Sequence, residues 1–556
     1  MLYMKAYKFL AIAAVAAAIV ACGKNSAKQM AEAASQVSAT SSPAVLTLVG
    51  DTIPITITVN YPKDYFRPDA IVNVTPVVVY SGGEQAAKTF TYQGSEVKDN
   101  YPVVSTDGGS VSEHVVFNFT EGMETSYLEL RCNVLYKGKT VDLPAIKVCE
   151  GVVMTGKFAS GKGYYEYRGD GYQATIEGSK EGQIKYDINS ATVKGKELKG
   201  SSIANYQAAL KEAVANERTT IKGIEIISYA SPDGGEDLNA KLSDKRSESA
   251  EKAWGKITKG IDGLEAPSTK SVGQDWEGFQ EAVQKSDIAD KDLIVRVLSM
   301  YSDPEVREKE IKNMSAVYNE LRKEVLPELR RTRFVATTEF RNYSDEELAA
   351  LSGADVATLD ETALLRLGAI SEDPAKKESY YKAAADRFNS EAGKYNLALA
   401  AFDADENAQA STYLGQVADQ KASDVLNAQA VAAIRKGDYA AAKNLLDKCD
   451  QGNEAVKRNY GVLALVNGDF ETAADKLNGA GGIDEAVAAI LAGKYSQATS
   501  ALDGDESANA DYLRAIIAAR QQKVLDAAKL LASACKKDPS LKEKALKDVE
   551  FVNVAK

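Results

Sequence analysis

The residues that come nearest to a chemical constellation lie in Ser228-Tyr229-Ala230-Ser231-Pro232-Asp233-Gly234, followed by Asn239, Leu242, Ser243 and Arg246. An apolar run ends in a turn that bears a carboxylate, and the helix-forming stretch beyond it carries an amide, a hydroxyl and a guanidinium. Spaced by four and three residues, Asn239, Ser243 and Arg246 share one helical face beside the turn. On the residues alone, Asp233 and Asn239 organise the turn and the helix start, and Arg246 makes an ion pair. Nothing here supplies a base for a nucleophile. His114 is the chain's one histidine, and it alternates out of phase with Val115, Phe117 and Phe119, which puts it on the exposed face of a strand. A single histidine removes multi-histidine metal sites and most histidine-based catalysis. Without a nucleophile elbow or metal-ligand spacing, no catalytic residue, metal or cofactor is expected, and an enzyme is the remote reading.

Gly156 and Gly161-Lys162 have the spacing of a phosphate loop, but Gly163 stands where the magnesium-binding hydroxyl belongs and no helix pattern follows. The formal charge of -12 argues against nucleic acid as a partner, since such affinity rests on lysine and arginine neutralising phosphates.

At the N-terminus, Lys5 and Lys8 precede the short apolar run Phe9–Val20 and then Ala21-Cys22, which reads as an export signal rather than a membrane span. Ile19-Val20-Ala21-Cys22 resembles the bacterial lipobox, and the resemblance implies that Cys22 is acylated and anchors the mature chain in a membrane. No acidic cluster follows Cys22, and that resemblance points to the periplasmic face of the outer membrane. Cys132 and Cys149 face opposite ways along their strands and are not expected to pair, while Cys449 and Cys535 read as small packing residues at helix ends.

These residues have to be positioned by several domains, because 556 residues exceed what one core usually supports. Residues 1–21 read as the signal peptide and 22–45 as a flexible tether. Over 46–150, strict alternation in Thr52–Val59, with similar runs at Ile71–Tyr80, Val115–Phe119, Leu128–Tyr136 and Val141–Val148, predicts an immunoglobulin-like β-sandwich. Residues 151–182, rich in Gly and Tyr, read as turns and edge strands. Residues 183–342 read strand, helix, strand, helix, an extra helical region and a closing strand at Arg333–Phe340, with Trp276 and Phe279 in a core and Arg333 and Arg341 solvated. A linker at 343–360 leads to a helical stretch, 361–556.

In that last stretch Gly437-Asp438-Tyr439, Gly468-Asp469-Phe470 and Gly493-Lys494-Tyr495 open one recurring phrase, each with an alanine one turn later, and Val524-Leu525-Asp526-Ala527 is a weaker fourth. The phrase resembles tetratricopeptide repeats, although its intervals of 31, 25 and 29 residues fall below the usual period of about 34. Residues 228–246 resemble the peptidoglycan-binding signature of OmpA-like domains, and the downstream Trp276 and Arg331 regions resemble the extended forms in Bacteroidetes outer-membrane proteins. In that family a strand-end aspartate takes the ammonium of diaminopimelate and the helix arginine its carboxylate. Arg246 matches, but Ser231 stands at the aspartate's position and Asp233 is the candidate substitute. The resemblances imply a multidomain chain: a β-sandwich, then an α/β OmpA-like domain, then an α-helical tetratricopeptide-repeat solenoid. They imply a periplasmic scaffold lipoprotein that takes a protein partner on its repeats and peptidoglycan at Ser231, Asp233, Asn239 and Arg246. A surface adhesion or fimbria-associated lipoprotein is the alternative.

Overall fold

The structure is a computed structural model that describes residues 26–288, 291–313, 315–353 and 356–554. Cys22 and the signal sequence lie outside the described residues. The chain divides into two compact units, one taking residues up to Arg168 and from Lys394 onward, the other Gly169–Gly393. The second is therefore inserted in the sequence of the first.

The first unit opens with helix α1 (Ser26–Glu32) and strands β1 (Ser38–Ser42), β2 (Leu46–Thr47), β3 (Thr52–Tyr61), β4 (Ile71–Tyr80), β5 (Gly83–Ala86), β6 (Phe90–Gln93), β7 (Gly109–Asn118), β8 (Tyr127–Tyr136), β9 (Lys139–Asp142), β10 (Ile146–Glu150) and β11 (Val152–Val153). One sheet has the order β1-β3-β7 and the other β10-β8-β4-β5, with β6 on β4 and β9 on β8. Alternation does the work expected of it: Ile53, Ile55, Ile57, Val59 and Tyr61 are buried, while the residues between them are partly exposed. His114 is exposed on β7. The run at Val141–Val148 is two strands rather than one, because Lys137 and Gly138 at positive φ close a tight hairpin into β9 and Pro144 interrupts the ladder before β10. From Ser26 the stretch read as a tether is structured. Ala27, Met30 and Ala34 form a buried helical stripe, and β1 pairs with β3; a stripe made mostly of alanine is easily missed among polar neighbours.

The second unit is an α/β structure. Strands β12 (Thr175–Lys185), β13 (Thr219–Ala230), β14 (Ser268–Gln274) and β15 (Arg331–Arg341) form a sheet in the order β12-β15-β13-β14, with only β13 and β14 parallel. Helices α2 (Gly195–Leu198), α3 (Ser201–Ala215) and α4 (Glu236–Ile257) fall between its strands. Ile184, Tyr206, Ile226, Ala250 and Phe334 form its core. The insertion before β15 is α5 (Trp276–Lys285), α6 (Lys291–Met300), α7 (Pro304–Asn313) and α8 (Ser315–Glu324), with a core of its own around Phe279, Ile294, Ile311 and Leu326. Trp276, partly exposed, meets Phe279 edge-on. Arg333 and Arg341 pair with Glu181 and Glu347 rather than standing alone. The expected linker contains α9 (Asp345–Leu351), started by a Ser344–Glu347 capping box. Helices α10 (Glu361–Ile370) and α11 (Pro374–Phe388) also fall within this second unit, so the helical stretch from 361 does not form one body.

From α12 (Glu391–Asp403) the chain is a run of helical hairpins: α13 (Asn407–Leu414), α14 (Ser423–Arg435), α15 (Tyr439–Leu446), α16 (Glu454–Val466), α17 (Phe470–Leu477), α18 (Gly482–Leu491), α19 (Tyr495–Ala501), α20 (Ala508–Arg520), α21 (Val524–Lys537) and the closing α22 (Leu541–Lys547). Each hairpin turns on one residue in the left-handed region, namely Asp405, Gly437, Gly468, Gly493 and Gln522. The amide after each donates to an alanine carbonyl five residues back, on Ala401, Ala433, Ala464, Ala489 and Ala518, the closure expected where a helix ends in a left-handed residue. Five residues beyond each turn, Ala410, Ala442, Ala473, Ala498 and Ala527 are fully buried. The phrase is therefore written five times. The earliest copy escapes a sequence search because Asp405 replaces the glycine and Asn407 the aromatic residue.

Close packing at these alanines predicts that Ala473→Trp lowers the stability of the first unit by roughly 1–3 kcal/mol, the usual cost of overpacking. Glu471→Trp, on the exposed face of the same helix, is expected to leave it unchanged. Urea unfolding checks both.

Candidate functional site

The first helices of the first four hairpins each contribute a buried polar side chain: Asn396 on α12, Asn427 on α14, Asn459 on α16 and Asp484 on α18. A buried amide or carboxylate has to find hydrogen-bond partners. All four find them on the Gly/Tyr-rich segment that leaves the sandwich after β11. That segment makes a 3-10 turn at Thr155–Phe158 and no regular structure over 159–174. Of the stretch read as turns and edge strands, residues 175–182 do enter the edge strand β12, whereas 159–174 do not. The backbone of 160–168 pairs with side chains instead of with a sheet.

Ser160 donates from its amide and hydroxyl to the two oxygens of Asp484, at 2.5 and 2.9 Å. The Tyr164 amide donates to Asn459 Oδ1 at 2.8 Å, and the Tyr164 carbonyl accepts from Asn459 Nδ2 at 2.8 Å and Asn427 Nδ2 at 2.9 Å. Asn459 also donates to Asn427 Oδ1 at 2.8 Å, which fixes both amides. At Arg168 the pattern recurs: its amide donates to Asn396 Oδ1 at 2.8 Å and its carbonyl accepts from Asn396 Nδ2 at 2.9 Å. A carboxamide offers a donor and an acceptor side by side and so can satisfy the two polar groups of one peptide residue at once. Tyr164 and Arg168 are held in this way, and Ser160, four residues earlier, is held by a carboxylate instead.

Side chains add register. The Tyr165 and Tyr167 hydroxyls both donate to Asp403, at 2.5 Å each, and the Tyr165 ring packs on Phe402 with centroids 5.6 Å apart. Burial first, and the Asp403 carboxylate second, push the Tyr165 phenol above its ordinary value, so it remains a donor. Arg168 grips Asp424 through Nε at 2.6 Å and stacks over Tyr395. Burial alone would raise Asp424, but the Arg168 guanidinium outweighs it and holds the carboxyl below its usual range. Gly163 sits at φ +74°, where a Cβ would lie 3.0 Å from Val431 and 3.2 Å from Asn459 Oδ1, so a side chain there would be both strained and crowded. At the other end, Phe158 packs on Tyr512 under Lys544, and Thr155 bonds to Glu550.

The residues singled out at the α/β turn are brought together, but they are already engaged with one another. Ser231 donates to Asp233, and Arg330 bonds to Ser231 and to Asp233 at 3.3 Å each. Asn239 holds the turn through the Ser231 and Gly234 carbonyls, at 3.1 and 2.7 Å. Arg246, expected to make a surface ion pair, is 0% exposed. It donates to the backbone carbonyls of Tyr229, Ser190 and Asp187 and stacks on Tyr186. Burial pulls its guanidinium down to about 10. Sequence reasoning found these residues and missed the asparagines, whose one signal was their recurrence at nearly the repeat interval.

No protein-family model matches the chain, and no curated protein does. Among solved structures, it is similar to a tetratricopeptide repeat protein from Parabacteroides merdae, at 17% identity over 48% of this chain and 97% of that one, with a TM-score of 0.25. It is also similar to the APC/C hetero-tetramer Cut9-Hcn1 (11% identity, 64% of this chain and 80% of that one, TM-score 0.31). The yeast Tom70 gives 12% identity over 64% and 78%, with a TM-score of 0.26. The C-terminal helical region is tetratricopeptide-like, five helical hairpins each turning on one left-handed residue.

Asn459→Ala leaves the Tyr164 amide and Asn427 Oδ1 without partners, and unmade buried hydrogen bonds of this kind cost about 1–3 kcal/mol. The expected result is a lower unfolding midpoint for the first unit, with Asn459→Gln recovering little because its longer side chain overshoots the peptide.

Proposed function

We propose that this chain is a non-enzymatic scaffold lipoprotein, anchored by acylated Cys22 in the outer membrane and facing the periplasm, whose helical repeats serve protein recognition. The observation that carries this reading is the engagement of residues 160–168 by the repeats: the repeat helices are equipped to bind extended polypeptide and do so within their own chain. We take the inserted unit as OmpA-like from its Ser228–Arg246 motif, and the sandwich and repeats form the anchored unit. In support, the chain leaves the first unit after Arg168 and returns at Lys394, and Asn396 ties Arg168 directly to the returning helix. Protease treatment of intact cells separates this reading from a surface adhesin, which would be cleaved.

The test of the anchor is Cys22→Ala, which is expected to release a folded protein from salt-washed membranes. Retention of that variant in the membrane fraction contradicts the anchoring.

Peptidoglycan is not part of the proposal. The Asp233 carboxylate is taken by Arg330, and Arg246 spends its donors on carbonyls, so neither group is open to a zwitterion. The released chain is expected to stay in solution when purified cell wall is pelleted, and Ser231→Asp to destabilise it by placing a second buried carboxylate beside Asp233. Sedimentation of the unaltered chain with the wall would reverse this assignment.

A further inference from the structure

The segment 160–168 shows what the repeat helices recognise, because it is itself a ligand seated on them. We propose that the face formed by α12, α14, α16 and α18 is a recognition site for an extended polypeptide of the form glycine, tyrosine, tyrosine, any residue, tyrosine, arginine, and that a segment of this chemistry from another protein displaces residues 160–168. The inference rests on reading the repeats as the protein-binding element and names the chemistry of the partner.

Four features set that chemistry. Asn396 and Asn459 each take both polar groups of one backbone residue, and these residues lie four apart in the segment. The approach of Val431 and Asn459 at Gly163, together with its positive φ, favours glycine one residue before the Asn459-bound position. Asp403 accepts from two tyrosine hydroxyls two residues apart. Asp424 takes an arginine, whose guanidinium also stacks on Tyr395. Asp403, Asp424 and Asp484 make the face rich in acceptors, so an apolar peptide leaves these carboxylates unpaired. The resident segment is tethered at both ends and holds its site by effective concentration; it sets the threshold that a competitor has to exceed.

The experiment uses the full chain without its lipid and a labelled synthetic peptide of sequence 158–170. The variant in which Tyr164, Tyr165, Tyr167 and Arg168 are all serine is expected to bind the peptide at least about tenfold more tightly than the unaltered chain, a difference of about 1.4 kcal/mol. Adding Asp403→Ala to that variant should reverse the gain. Should the quadruple variant not fold, the unaltered chain is challenged with the same peptide carrying a photoreactive phenylalanine at the position of Tyr165. Crosslinks are expected on α12 and α14, and none from a scrambled peptide. Equal capture of the scrambled peptide, or no binding by either route, overturns the proposal while leaving the membrane-anchored scaffold intact.

Discussion

An extended chain laid against helices has a hydrogen-bonding problem that neither partner's secondary structure solves. The helices use their own backbone groups internally, and the segment has no neighbouring strand, so its buried amides and carbonyls depend on side chains. Asn396, Asn427 and Asn459 meet that need, and Asp484 completes it at Ser160. Much else follows from this contact. Gly163 lets the backbone come close without strain, the first helices of the repeats have to tolerate a buried amide, and the sandwich and repeats are joined into one unit although 225 residues, Gly169–Gly393, separate them in sequence.

The sandwich was legible because a half-buried strand writes its burial every second residue, as Ile53, Ile55, Ile57 and Val59 do. The repeats were legible where glycine and an aromatic residue mark the turn, at 437, 468 and 493. Gln522 performs the same left-handed turn ahead of the weaker fourth copy, and Asp405 does so with residues that carry no such mark. The segment 160–168 was not legible at all, since its order comes from partners up to 324 residues away and not from any period of its own. Its tyrosines and glycines look like a spacer until Asp403 and Asn459 are set opposite them.

The α/β turn teaches the converse. Ser231, Asp233, Asn239 and Arg246 were found from spacing, and the structure does assemble them, yet Arg330 had no place in the motif and changes what the assembly can do. It arrives from beyond the helical insertion, 97 residues after Asp233, and occupies the carboxylate. A motif records which groups converge; it does not record which of them are already satisfied.

The central claim, that residues 160–168 are held by the repeats, is tested most directly by hydrogen exchange on the folded chain resolved to single amides. The amides of Ser160, Tyr164 and Arg168, each donating to a side chain of a repeat helix, are predicted to exchange slowly in the folded chain. Exchange of these three amides at the rate of an unstructured peptide, while the repeat helices remain protected, would contradict the account.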